Sequence, residues 1–110
     1  MANTFTRKLS RSIGTSATAI GSYTVGSSTE TTVIGLTLSN RTASQVLADV
    51  TLNDGANDTY MVKAAPIPAG SSLVVVGGDQ KVVLVTGDSI KVTSDTASSI
   101  DAIMSILEIT

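Results

Sequence analysis

Short runs of β-branched and other apolar residues recur along this chain at intervals of roughly ten residues, separated by turns rich in Gly, Asn, Asp and Ser. Val, Ile and Thr favour extended backbone, whereas the Gly and Asn residues between the runs favour turns. We therefore predict an all-β fold, an antiparallel β-sandwich (jelly-roll or Ig-like) of about 7–8 short strands with an N-terminal extended arm. The predicted strands are Thr18–Val25, Thr31–Ser39, Val46–Leu52, Thr59–Ala64, Leu73–Val76, Val82–Val85 and Ile90–Ser94, followed by the C-terminal segment.

Residues 45–64 carry the clearest hairpin pattern. Val46, Ala48 and Val50 alternate with polar residues, and the turn Asn53–Asp58 is built from residue types that tolerate positive φ. After the returning strand, Pro66 and Pro68 remove two backbone donors, which predicts a loop over Pro66–Gly70. A second turn is predicted at Gly77–Asp79, between two Val-rich runs.

The C-terminal residues SSIDAIMSILEIT fit two structures. Ile100, Ile103, Met104 and Leu107 would share one face of a helix. Ile103 and Leu107 would instead share one strand face with Ile109. The neighbouring runs are strands, and Ile and Thr favour sheets, so we favour a strand here.

The length of 110 residues indicates one domain, which we divide into an N-terminal basic arm, residues 1–14, and a single β-sandwich domain, residues 15–110. Phe5, Leu9 and Ile13 are spaced four apart, as on a helix, but Thr4 and Thr6 flank Phe5 in a strand-like alternation. The arm is therefore predicted to be extended or to form an edge strand. The segment lacks the apolar core of a secretory signal, and no apolar run approaches the ~20 residues that span a membrane.

The arm is also the most basic part of the chain. Arg7, Lys8 and Arg11 are three of the seven basic residues, and the first acid is Glu30. Such a segment is either a solvated surface or an element that docks on an acidic partner, and a net charge of −2 argues against nucleic acid as that partner. The docking residues predicted on this basis are Phe5, Arg7, Lys8, Leu9, Arg11 and Ile13.

Several strands have more apolar side chains than one buried face needs. Residues 73–76, 82–85 and 103–109 are apolar at both odd and even positions, whereas a sandwich strand normally alternates apolar and polar residues. The outward apolar side chains must be covered, either by another subunit or partner protein or by a loop or arm of the same chain. Only 15% of the residues are charged, which fits a chain partly buried in an assembly.

The residue types leave little room for catalysis or metal binding. The chain has no His, Cys or Trp. Its four Lys residues are the possible bases for its many Ser and Thr residues, but no Ser-x-x-Lys motif stands at a strand-to-helix turn. Five of its nine acids lie in predicted turns, where Asp serves backbone structure. Asn53–Asp58 could offer oxygens to Ca²⁺, but it lacks the spacing of a calcium loop. We predict no enzyme activity, no cofactor and no metal.

One stretch of sequence is similar to a known group of proteins. The run Lys63–Leu73 (KAAPIPAGSSL), then Gly77–Leu84 (GGDQKVVL) and Thr86–Asp88 (TGD), resembles small virion structural proteins of tailed bacteriophages, especially marine and cyanobacterial ones. The strand Val33–Asn40 and the segment Asp101–Thr110 also look like that group, so the likeness covers most of residues 30–110. It is a pattern of strands and turns and carries no catalytic signature.

The resemblance implies a virion protein present in many copies and assembled in the host cytoplasm. Its expected role is a capsid decoration or cement protein that packs as a homo-oligomer on the major capsid protein, without nucleic acid or membrane as partner. The alternative is a neck, tail or fibre component that binds host-surface glycans through the Asn53–Asp58 turn. In the first case the arm would be the docking element, and we expect its removal to leave the sandwich folded.

Overall fold

The computed structural model describes residues 2–77 and 79–110, and these residues form nine β-strands and one short 3-10 turn, Ile20–Ser22. The prediction of an all-β chain is confirmed, and the C-terminal segment is a strand. Met1, the first residue of the predicted arm, and Gly78, within the predicted turn after Val76, lie outside the described residues. The strands are β1 (Asn3–Ile13), β2 (Thr18–Ala19), β3 (Glu30–Asn40), β4 (Val46–Asn53), β5 (Asp58–Ile67), β6 (Ser72–Val76), β7 (Val82–Leu84), β8 (Ser89–Ser94) and β9 (Ile100–Ile109).

The strands form two antiparallel sheets that pack face to face. Sheet 1 has the order β1-β9-β3-β6, and β7 also pairs with β3; sheet 2 has the order β2-β8-β4-β5. The strand β6 pairs with Leu36–Ser39 of β3 and β7 pairs with Thr31–Val33, so the two short strands share one position at the sheet edge. Counted as one, they give the strand order of a jelly roll, the first of the two predicted sandwich types.

The core lies between the sheets and follows the alternation of each strand. In β8, for example, Ile90 and Val92 are buried while Lys91 and Thr93 point outward, as the sequence predicts. Removing one such side chain from water stabilises the fold by about 1.5–3 kcal/mol. The largest fully buried side chains are Ile20, Leu36, Leu38, Ile67, Leu84, Ile90, Ile100, Met104 and Ile106.

The prediction of a strand over Thr18–Val25 is wrong beyond Ala19. The chain turns at Gly21, which has φ +61°, a value that side chains disfavour. A Cβ on Gly21 would also lie 2.8 Å from Lys8 Cβ, so only glycine fits where this turn passes over β1. Tyr23 and Val25 are nevertheless buried, because the segment still packs into the core.

The prediction of a loop beginning at Pro66 also needs correction. Pro66 and Ile67 belong to β5, opposite Leu47 and Val46 of β4. The strand β5 lies at the edge of sheet 2, where a proline with no N–H can be accommodated because one side of the strand has no neighbour. The hairpin prediction for residues 45–64 is confirmed, with Asn53 opposite Asp58 at its end.

The segment predicted as an arm lies along sheet 1 as the edge strand β1. Its residues pair with β9 in unbroken register from Asn3 opposite Ile109 to Ser10 opposite Ala102. A bulge follows, at which Ser12 has φ +55°. Asp101 accepts a hydrogen bond from the Ser12 N–H at 3.0 Å, and Arg41 contacts both Ser12 and Asp101, which fixes the bulge. In the structure, most of the predicted arm is the edge strand β1, which is paired with the rest of sheet 1.

Candidate functional site: the outer face of sheet 1

The outward side of sheet 1 carries two rows of side chains that cross four strand positions. Residues directly opposite each other in neighbouring strands place their side chains on the same face. The first row runs Phe5, Leu107, Thr32, Val83 from β1 to β7. The second row runs Leu9, Ile103, Thr37, Val74 from β1 to β6. We call these eight residues the apolar face.

The apolar face is largely open to solvent. The exposed fractions of its large apolar side chains are 73% for Phe5, 63% for Val74, 61% for Val83, 52% for Ile103 and 39% for Leu9. These exposed fractions are high for large apolar side chains on a folded sheet, and few charged side chains lie between the two rows. The face therefore joins apolar side chains from β1, β6, β7 and β9, with two Thr residues of β3 between them, into one surface that no described residue of this chain covers.

A shallow groove separates the two rows. Its volume is about 340 Å³, and it is lined by Phe5, Thr6, Arg7, Ile34, Ser105 and Ile106. Ser105 lies opposite Arg7 on one side and Gly35 on the other, so small residues form the middle of this part of the face. A partner side chain could enter here between the two apolar rows, with Arg7 at the rim.

The structure separates the predicted docking residues into three groups. Phe5, Arg7, Leu9 and Arg11 are exposed, and Arg11 lines a second groove with Leu9, Asp101 and Ile103. Lys8 is half-buried and lies on the opposite side of β1. The prediction for Ile13 needs correction, because its side chain is 2% exposed and belongs to the core. Since β1 pairs with β9 and supplies Ile13, removal of the arm is expected to destabilise the sandwich rather than leave it intact.

The inner side of β1 is fixed by a polar cluster. The Lys8 ammonium lies 4.9 Å from the centre of the Tyr23 ring, which is a cation–π distance. The Tyr23 hydroxyl donates to Glu108 Oε2 at 2.7 Å and pairs with Thr31 Oγ1 at 2.8 Å. Burial, with a further contribution from Glu108, raises the pKa of Tyr23 from 10.0 to about 12. Lys8 is therefore engaged with its own chain.

Four large apolar residues of the apolar face, Val74, Val83, Ile103 and Leu107, were not among the predicted docking residues. The sequence did mark their runs as apolar on both sides, which was the available signal. What it lacked was the strand order, since only the pairing of β3 with β6, β7 and β9 brings them together with Phe5 and Leu9.

The Asn53–Asp58 turn uses its polar side chains internally. The Asp54 carboxylate accepts from the Ala56 and Asn57 N–H groups at 2.9 and 2.8 Å, and Asn53 donates to Asp58 at 2.6 Å. The two backbone donors, that of Asn57 first, lower the pKa of the Asp54 carboxyl. Across residues 2–77 and 79–110, no group of three or more Asp and Glu residues is placed to hold a metal ion. The described part of the chain also contains no helix with the length and hydrophobicity to cross a membrane.

Comparisons with known proteins give a fold but no family. No protein-family model and no curated protein matches the chain. A solved structure of Bacillus endospore appendages, described as disulfide-linked pili, is similar over 100% of this chain and 91% of that one, with TM-score 0.54 and 15% identity. This likeness shows a shared fold alone.

Two further solved structures are pentameric capsid proteins isolated from metagenomic phage sequences. Their TM-scores are 0.46 and 0.40, with 20% and 18% sequence identity. Each similarity covers 94% of this chain, which spans about three fifths of the two proteins, 59% and 60% of their lengths.

Proposed function

We propose that this chain is a non-enzymatic structural subunit of a virion, a capsid decoration protein that attaches to the particle surface through the apolar face. The observation that carries the proposal is the exposure of Phe5, Val74, Val83 and Ile103 on one side of one sheet. The partner proposed is the major capsid protein. The sequence resemblance to virion proteins of tailed phages supports this choice, and its marine and cyanobacterial part stays a prediction.

The size of the apolar face suits a protein interface. The rows lie four residues apart along β1 and β9, so the face covers about five residues in each of four strand positions about 4.8 Å apart, an area on the order of 300 Å². Apolar patches of this size on a folded protein are often functional contact surfaces. Arg7 and Arg11 lie along one margin and Glu30 at one end, so the charges surround an apolar centre, as in many protein interfaces.

Attachment to a lattice also explains how a modest surface can suffice. A decoration protein binds beside other copies of itself, and linked copies gain avidity without any new contact to the capsid. An oligomer of this chain would present several apolar faces to the particle at once. Two apolar rows and two shallow grooves per copy are then enough for stable attachment.

The decisive experiment is imaging of purified particles that contain this chain, by cryo-electron microscopy at subunit resolution. We expect density for the sandwich at repeated positions on the capsid, with the apolar face turned toward the capsid protein. Density with the apolar face turned to solvent would contradict the proposed contact. Density confined to the neck, tail or fibres would replace decoration by the alternative role, in which the Asn53–Asp58 turn becomes the candidate glycan-binding tip.

A further inference from the structure

The outer edge of β1 has free backbone groups at known residues. The N–H and C=O groups of Ala2 both bond to Thr110, at 3.1 and 3.0 Å. Because hydrogen-bonded and non-hydrogen-bonded pairs alternate in an antiparallel ladder, the even residues of β1 bond to β9 and the odd residues point their backbone groups away. The N–H and C=O groups of Asn3, Phe5 and Arg7 therefore face outward. Residues 3–7 are all exposed.

The free part of this edge ends before Leu9. The turn at Gly21 passes beside the strand there, so close that a Cβ on Gly21 would lie 3.3 Å from the Leu9 nitrogen. Gly21 also donates a hydrogen bond to Ser10 Oγ at 2.8 Å. The segment open to another strand is thus Asn3–Arg7, and its midpoint is Phe5.

The other three edges of the sandwich are poor templates for strand pairing. The strand β2 has two residues. The strand β5 contains Ala64 at φ +51° and Pro66, which bend it and remove a donor. The edge opposite β1 is broken, since β6 ends at Val76 and β7 begins at Val82. Natural sheets protect their edges by such means. Residues 3–7 of β1 contain no proline, bulge or positive φ, and their one charged side chain is Arg7.

We infer that β1 pairs with β1 of a second copy, antiparallel and centred on Phe5, to form a two-fold dimer. This inference rests on the proposed function in one respect, because the dimer contact is a contact within the oligomer proposed there. In this register Phe5 lies opposite Phe5 of the second copy, and Arg7 lies opposite Asn3. Three hydrogen-bonded pairs form, each exchanging two backbone bonds, or about six bonds in all.

Like-charge repulsion disfavours a register centred on Arg7. Moving the centre by two residues, to Arg7, would place Arg7 directly opposite Arg7 of the second copy, which is unfavourable. Centring on Phe5 puts the two Arg7 residues four positions apart along the pair, about 14 Å. It also covers Phe5, the most exposed large apolar side chain, with an aromatic partner.

The dimer would serve attachment by doubling the apolar face. Strand pairing through β1 joins the two copies of sheet 1 into one sheet of eight strand positions. The outward sides of both copies then lie on the same side of that sheet, since neighbouring strands share their faces. The edge contact leaves Val74, Val83 and Ile103 free for the particle.

Single-cysteine variants test the pairing cleanly, because the chain has no cysteine of its own. In Phe5→Cys the two thiols would sit on a hydrogen-bonded pair with Cα atoms about 5.5 Å apart, within disulfide range. Asn3→Cys is the matched control, on the same strand and equally exposed, with its two copies about 14 Å apart. The full-length variants are oxidised at micromolar concentration and separated on non-reducing gels.

We expect F5C to cross-link into dimers more than about tenfold faster than N3C. A mixture of N3C with R7C should cross-link between the two variants, while R7C alone stays monomeric. Equal cross-linking of F5C and N3C, or none of F5C, would overturn the inference. If the wild-type chain attaches to particles while F5C does not cross-link, the dimer is overturned and the proposed function stands. If F5C cross-links while the wild-type chain does not attach, the reverse holds.

Discussion

The outer faces of the two sheets differ in composition although the same alternation builds both. On sheet 2, Asp49 lies opposite Thr93 and Thr51 lies opposite Lys91, and Lys63 covers the Tyr60 ring at 4.6 Å. On sheet 1, the matching positions hold Phe5, Leu107 and Ile103. Both sheets bury equivalent inner faces, so the core does not require this difference. The proposed function accounts for this difference, since it places water outside sheet 2 and a partner outside sheet 1.

Asp49 shows how the outer face of sheet 2 uses its polar side chains. Its carboxylate accepts a hydrogen bond from the Ala64 N–H at 2.7 Å, where β5 bulges away from β4. The polar residue thus satisfies a backbone donor that the bulge frees from the sheet ladder. No comparable task exists for Ile103 or Val74, whose outward side chains contribute little to the fold of an isolated copy.

The largest effect is expected from a charge placed at the centre of the apolar face. Ile103→Asp should weaken attachment to particles by about 2–4 kcal/mol, because a carboxylate in the middle of an interface loses water without gaining a partner. The matched control is Thr93→Asp, at an outward position of sheet 2. Co-sedimentation of each variant with particles measures the difference. Ile103→Asp should unfold near the wild-type temperature, since its side chain is half exposed. Thr93→Asp should unfold at a somewhat lower temperature because its carboxylate would lie opposite Asp49, so attachment is compared well below that temperature.

If Thr93→Asp weakens attachment as much as Ile103→Asp, the two faces are equivalent and the contrast between them has no functional meaning. A large drop in the unfolding temperature of Ile103→Asp would instead mean that this side chain is part of the core. The variant would then test folding rather than attachment, and Val74→Asp would replace it.

An intermediate effect is expected from the polar cluster on the inner side of sheet 1. At this place the inward side chains are polar and the outward side chains are apolar, the reverse of the usual pattern. There the inward side chains Tyr23, Thr31 and Glu108 form hydrogen bonds, beside the outward apolar Phe5 and Leu107. Tyr23→Phe removes the hydroxyl that satisfies the buried Thr31 and should lower the free energy of unfolding by about 1–2 kcal/mol. Urea denaturation at neutral pH, with Tyr60→Phe as the exposed control, measures this cost.

The same cluster gives a pH dependence with a defined sign. Because the pKa of Tyr23 is raised to about 12 in the folded chain, its protonated form is favoured by folding. The corresponding stability is complete below pH 10 and is lost as the pH rises from about 10 toward 12. Wild type should therefore lose more stability over this range than Tyr23→Phe. Identical pH profiles for the two proteins would show that Tyr23 does not titrate differently in the folded state.

The sequence predicted inner faces better than it predicted the apolar face, for a physical reason. Alternation is local, so Ile90 and Val92 could be assigned to the core from their own strand. The apolar face depends on register between strands far apart in sequence, and β3 contains irregularities near Gly35 and Leu36 that shift it. Docking residues were therefore predicted within β1 alone, and Ile13 was included although the bulge at Ser12 turns it into the core.

The smallest effect is expected from two Thr→Val substitutions, one on each sheet. They distinguish an effect of added hydrophobicity anywhere on the surface from an effect of its position on the apolar face. Thr37 lies between Ile103 and Val74 on the apolar face, and Thr93 occupies an outward position on sheet 2. Changing either to Val replaces a hydroxyl by a methyl group of similar size, with both residues favouring strands. Since burying one methyl group is worth up to about 0.8 kcal/mol, Thr37→Val should strengthen attachment to particles two- to fourfold. Thr93→Val should change neither attachment nor stability by more than about 0.5 kcal/mol, since it stays in water. Titration of labelled protein onto particles resolves a change of this size. Equal strengthening by both substitutions would mean that attachment responds to overall surface hydrophobicity, and the specific register of the apolar face would then have no part in it.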